Sequence, residues 1–99
     1  YVCMDDCYIH DCSYGCMEIN NSQVDVTYSS FANCREFDMF DLRDSALLFY
    51  SCTFSNLEGN MVTLSGDSMV EFGHCMYDAG AYRSIYDNPE YDKKIFIYE

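Results

Sequence analysis

A repeat of 22 to 23 residues is the feature of this 99-residue sequence that most constrains its fold. In each copy, two apolar residues separated by one position are followed three and five residues later by a small Cys or Ser and an aromatic residue. The apolar pairs are Val24/Val26, Leu47/Phe49 and Val70/Phe72, with a partial earlier copy at Val2/Met4. Successive full copies are offset by 23 residues, and the partial copy by 22. A fixed period of this length is typical of solenoids, in which each repeat stacks on its neighbours.

A second apolar pair precedes the first in each full copy. These pairs are Met17/Ile19, Phe40/Leu42 and Val62/Leu64. Polar stretches such as Arg43-Asp44-Ser45 separate the two pairs, and such residues suit turns because their side chains hydrogen-bond nearby backbone. Alternation with period 2 indicates strands with one face inward. The sequence therefore predicts three short strands in each repeat, separated by corners and stacked in columns.

This pattern resembles the right-handed parallel β-helix family, which includes the pectate-lyase-like folds. The resemblance covers about residues 2–79, and it is the resemblance, not the period, that implies the right hand. We predict an all-β chain in which residues 1–79 form a parallel β-helix of three to four coils of 22–23 residues. Residues 80–99, including a strand at Ile95–Tyr98, are predicted to be a C-terminal cap or the start of a linker to a neighbouring domain.

The leucine-rich repeat is the rival fold, because it shares this period and the spacing L-x-x-L-x-L-x-x-N/C-x-L. The stretch from Leu47 to Leu57 fits most of that pattern. The leading leucine, however, is replaced by Asn21, Asp44 and Asp67 in the three copies. The second apolar pair also alternates where that family has a helix or an irregular turn, so the pattern favours the β-helix.

The chain contains seven cysteines, and the repeat accounts for most of them. Five fall in two columns: Cys7, Cys52 and Cys75 in one, Cys12 and Cys34 in the next. Cysteine packs in such columns as a small hydrophobe, so we predict structural roles for these five. The odd total and the lack of a recognisable secretion signal favour a reducing cytoplasm over a disulfide-bonded secreted chain.

One cluster of metal-ligating residue types lies near the N-terminus: Cys3, Cys7, His10, Cys12 and Cys16. Zinc sites use four tetrahedral ligands, often in closely spaced pairs such as C-x2-C. The spacings here are C-x3-C, C-x4-C and C-x3-C, without that tight pair. We therefore predict no metal and no cofactor, and keep a metal-stabilised N-terminal cluster as an alternative.

Seventeen acidic residues against five basic ones give a net charge of -12. Phosphate backbones and anionic membrane surfaces would repel such a chain, so we predict neither nucleic acid nor membrane as a partner. No apolar run approaches the length of about 20 residues that spans a bilayer. Because the sequence opens at Tyr1 within a repeat, we expect it to be part of a longer protein.

The enzymes of the resembled family are mostly polysaccharide lyases and glycoside hydrolases. The hydrolases need paired carboxylates, and the lyases typically need an acidic Ca²⁺ site beside a basic residue. Acidic pairs such as Glu18 and Asp41 are expected by chance among seventeen carboxylates, and no motif places Arg35 or Arg43 as a base. We identify no catalytic motif and predict no catalytic residue.

Three apolar residues stand at outward positions of one predicted sheet that is otherwise polar: Leu48, Tyr50 and Met69. Outward apolar groups can mark a contact surface. We therefore predict a non-catalytic β-helical scaffold for protein interaction or assembly, which binds a protein partner or itself through sheet faces or open coil ends. The alternative is a carbohydrate-binding module or a fragment of a polysaccharide lyase or glycoside hydrolase.

Overall fold

A computed structural model gives the structure of the protein and describes residues 2–10, 17–33, 40–57, 62–78 and 94–98. The strands in these ranges form three parallel sheets. Sheet A contains β1 (Val2–Asp5), β4 (Gln23–Thr27), β7 (Ala46–Tyr50), β10 (Met69–Gly73) and β12 (Ile95–Tyr98). Sheet B contains β2 (Tyr8–His10), β5 (Ser30–Ala32), β8 (Thr53–Ser55) and β11 (Met76–Tyr77). Sheet C contains β3 (Met17–Asn20), β6 (Phe40–Arg43) and β9 (Val62–Ser65).

The order in which the chain visits these sheets makes the fold a parallel β-helix. After β2 it passes through sheets C, A and B in turn, and each strand pairs with the strand one repeat away in sequence. The predicted fold class is therefore confirmed. Sheet C consists of the second apolar pairs, which form strands, and no helix occurs among the described residues. These two features exclude the leucine-rich repeat.

The strand register places the predicted columns in contact. In sheet A, Val24 pairs with Leu47 and Leu47 with Val70. The last strand continues the same column, since Ile95 pairs with Val70 at an offset of 25 residues instead of 23. The strand predicted for residues 95–98 therefore belongs to sheet A. The predicted division at residue 79 lies outside the described residues and stays a prediction.

Stacked aromatic rings occupy the centre of the coil. Phe31 stacks on Phe54 at a centroid distance of 5.3 Å, and Phe49 stacks on Phe72 at 5.1 Å. Phe40, from sheet C, meets the edges of the other two columns, and all five rings are fully buried. Because equivalent positions repeat along the helix axis, one apolar choice per repeat builds a continuous core.

Left-handed backbone conformations turn the chain at the corners. Residues with positive φ follow the ends of strands in all three sheets, and they include Asn21, Asp44 and Asn56. Asn and Asp tolerate this conformation better than most residues. The ladder continues through the corners; for example, the Asn21 amide donates to the Arg43 carbonyl at 3.0 Å. The corners therefore keep successive coils in register.

Candidate functional site

The outward faces of the sheets differ in polarity, and this difference locates the candidate site. Sheet C presents polar side chains outward: Glu18, Asn20, Asp41, Arg43, Thr63 and Ser65. The first two strands of sheet A are also mainly polar outward, where the Thr27 hydroxyl donates to the Asp5 carboxylate at 2.7 Å. From β7 onward, most outward side chains of sheet A are apolar or aromatic.

We call this area the apolar patch, and its members come from three adjacent strands: Ala46, Leu48, Tyr50, Met69, Phe96 and Tyr98. The three residues predicted from sequence all lie in it; Leu48 and Met69 are half-buried, and Tyr50 is 41% exposed. Their role as an interface stays a prediction. Phe96 and Tyr98, 40% and 54% exposed, were missed by sequence reasoning. The available signal was the alternation of Ile95 to Tyr98, which the 25-residue offset separated from the repeat.

One carboxylate, that of Glu71, lies within the apolar patch. Glu71 is half-buried, and its register partners are Leu48 on one side and Phe96 on the other. Lys94, at the start of the neighbouring strand, directs its ammonium elsewhere, since Nζ donates to the Gly66 carbonyl at 2.9 Å. The apolar patch therefore has an acidic centre.

An exposed row of aromatic rings borders the apolar patch at the corner between sheets A and B. Tyr28 meets Tyr50 edge to face at a centroid distance of 6.3 Å, and Tyr50 meets His74 at 5.3 Å. The Tyr50 ring lies over Gly73, where a Cβ atom would stand only 3.3 Å from Tyr50 Cδ2. Glycine at this position therefore allows the tyrosine ring to lie across the next coil.

The predicted cysteine column follows the same corner on the inside. Cys52 is buried in the core and Cys75 packs against it, in agreement with the predicted structural role. Each thiol also donates to the carbonyl two residues earlier, as the Ser29 hydroxyl does in the preceding coil. Cysteine and serine are interchangeable here because both are small donors beside the turn.

Two of these thiols interact across adjacent coils. A hydrogen bond with Cys75 lowers the pKa of the Cys52 thiol from 9.0 to about 7, against the opposing effect of burial. The same hydrogen bond and burial raise the pKa of Cys75. The pair therefore releases its first proton more easily than its second.

The N-terminal metal candidates are only partly described. Cys3 is exposed on the outward face of sheet A, whereas the half-buried Cys7 donates its thiol to the Asp5 carbonyl at 3.5 Å. His10 is exposed on the outward face of sheet B, and Cys12 and Cys16 lie outside the described residues. Within the described ranges, no three Cys, His, Asp or Glu side chains are placed to hold a metal ion.

The acidic pair predicted on sheet C is present as a register pair, since Glu18 lies opposite Asp41. Both side chains are exposed on a flat polar face. Arg43 stands on the same face, two residues beyond Asp41, and Arg35 lies outside the described residues. Solvated surface charge accounts for this arrangement.

No helix long and apolar enough to cross a bilayer occurs in the described ranges. A search of curated proteins finds no match to the chain. Residues 1–89 match the family model for the right-handed β-helix region. This match covers most of the 99 residues and agrees with the three parallel sheets, their repeat-to-repeat register and the stacked core. The chain therefore belongs to the right-handed β-helix family.

Proposed function

We propose that this β-helix is a non-catalytic scaffold that binds a protein partner through the apolar patch. The observation that carries the proposal is the contrast within a single sheet: the outward face of sheet A is mainly polar on β1 and β4 and mainly apolar from β7 to β12. Solvent exposure alone does not require such a change, whereas a contact surface does.

The scaffold supports the apolar patch with rigid backbone. All three of its strands are held by parallel ladders, and the residues between its outward side chains belong to the core, as do Leu47, Phe49 and Phe72. A partner would therefore meet side chains whose positions are already fixed, which reduces the entropy lost on binding.

Self-association through the same patch is less favourable on electrostatic grounds. A second copy brings another net charge of -12, and close apposition of the two patches brings their Glu71 carboxylates together. Like charges across an interface oppose binding. We therefore propose a different protein as the partner.

The test is selection of random displayed peptides on the immobilised chain, followed by rebinding of enriched clones to two variants. Phe96→Ser removes an aromatic ring from the apolar patch, and Tyr8→Ser removes one from the outward face of sheet B, where it is 63% exposed. We expect enriched clones to lose binding to Phe96→Ser and to keep it for Tyr8→Ser. Failure to enrich clones, or equal binding to both variants, would contradict the proposal.

The exposed aromatic row supports carbohydrate binding as a second candidate function. Tyr28 is 63% exposed, and Tyr50 and His74 continue the row along the helix axis. Exposed aromatic faces stack on the apolar faces of sugar rings. An array of neutral and acidic polysaccharides, probed with and without Ca²⁺, tests this; absence of binding in both conditions rejects it.

A further inference from the structure

The position of Glu71 in the apolar patch bears on the chemistry of the partner. Its carboxylate stands in an outward column between Leu48 and Phe96, and the outward neighbours along its own strand are Met69 and Gly73. Among the described residues, the Glu71 carboxylate forms no hydrogen bond or ion pair. Lys94 Nζ, on the adjacent strand, is bonded to the Gly66 carbonyl.

A purely apolar partner would bind this surface poorly. Covering Leu48 and Phe96 removes water from the carboxylate between them, and burial of an unpaired charge costs several kcal/mol. A cationic group at that point would replace the lost water with a charge-assisted hydrogen bond. It would also meet the rings of Tyr50 and Tyr98, which can attract a guanidinium or ammonium group.

We propose that the partner places a lysine or arginine side chain on Glu71 while its flanking apolar side chains cover Leu48 and Phe96. This inference rests on the proposed function, because it requires the apolar patch to be the binding surface. The net charge of -12 acts in the same direction, since it attracts basic segments and repels acidic ones.

Peptides from the display selection provide the test. We expect lysine or arginine between apolar residues in clones enriched on the wild-type chain, and acidic residues at that point in clones enriched on Glu71→Lys. One enriched peptide is then synthesised with its basic residue kept, replaced by Gln or replaced by Glu. At physiological salt, the basic form should bind wild type about five- to tenfold more tightly than the Glu form, because attraction is replaced by repulsion.

A matched pair of variants separates local pairing from overall charge. Glu71→Gln and Glu18→Gln change the net charge equally, but Glu18 lies on sheet C, away from the apolar patch. The preference for the basic peptide should fall to about twofold or less on Glu71→Gln and stay near its full value on Glu18→Gln, because screening weakens the distant charge.

The results distinguish the inference from the proposed function. If clones depend on Phe96 but their basic preference survives Glu71→Gln, the proposed function stands and the pairing with Glu71 is overturned. Equal reduction by both glutamine variants also overturns it, because overall charge then explains the preference. If no clones depend on Phe96, the proposed function fails and the inference fails with it.

Discussion

Truncation of Phe49 is the most direct test of the stacked core. Phe49 is fully buried and receives aromatic contacts from every sheet, at centroid distances of 5.1 to 5.6 Å. The contacting rings are Phe31 and Phe54 in sheet B, Phe40 in sheet C and Phe72 in sheet A. Its removal therefore leaves a cavity at the point where all three sheets meet.

The expected loss for Phe49→Ala is about 4 to 5 kcal/mol of unfolding free energy, the upper part of the range for buried Phe→Ala changes. The upper part applies because ring contacts worth about 0.5–1.5 kcal/mol each disappear in addition to the buried area. Phe96→Ala is the matched control: the same atoms are removed from the same sheet, but from a side chain that is 40% exposed on the outward face. Its cost should stay below about 1 kcal/mol.

Urea unfolding measures both changes, followed by far-ultraviolet circular dichroism and by tyrosine fluorescence, since the chain has ten tyrosines and no tryptophan. Coincident transitions and an unchanged denaturant slope permit direct comparison of the free energies. Phe49→Leu, expected to cost about 1–2 kcal/mol, keeps the test valid if Phe49→Ala does not fold. Equal losses for Phe49→Leu and Phe96→Leu, or for the two alanine variants, would refute the reasoning.

Three further predictions concern the corners. Ser45→Ala should lower the unfolding free energy by about 1–3 kcal/mol, because the buried hydroxyl accepts an amide from the preceding coil and donates to two carbonyls; chemical denaturation measures it, and a neutral result would contradict the role of this hydroxyl. Gly66→Ala should cost about 1–3 kcal/mol, because Gly66 has a φ of 66° and an added Cβ would contact the Asp44 carboxylate. Part of that loss should be absent when the change is made in an Asp44→Ala background, and strict additivity would show that the contact does not matter. Finally, the hydrogen bond from Cys75 lowers the folded-state pKa of Cys52 from 9.0 to about 7, so its contribution to stability is complete above pH 9 and is lost as pH falls through about 7. Wild type should therefore gain stability relative to Cys52→Ser between pH 7 and 9, and a constant difference across that range would contradict the thiol interaction.

The candidate site was only partly predictable. Leu48, Tyr50 and Met69 follow from the repeat because period-2 alternation assigns them to the outward side, and the structure places them together. Phe96 and Tyr98 required knowledge of which strand β12 would join. That pairing connects segments separated by a final offset of 25 residues, for which the 23-residue repeat gave no register.

The acidic centre of the apolar patch has the same origin. In sequence, Glu71 is one of seventeen acidic residues, and its local neighbours do not distinguish it. Its environment is decided by Leu48 and Phe96, which lie 23 residues before it and 25 residues after it. The thiol pair of Cys52 and Cys75 likewise depends on contact between coils.

The sequence by itself determined the core of this protein. In a parallel solenoid, identical positions of successive repeats stack on one another, so a period and an alternation are enough to assign Val24 to Leu47, Phe49 to Phe72 and Phe31 to Phe54. Only the tertiary structure decided the outward surface at the last strand and the side-chain contacts at the corners. Those depend on the register of a strand outside the repeat and on short distances such as that between Lys94 Nζ and the Gly66 carbonyl, which hydrophobic patterning does not encode.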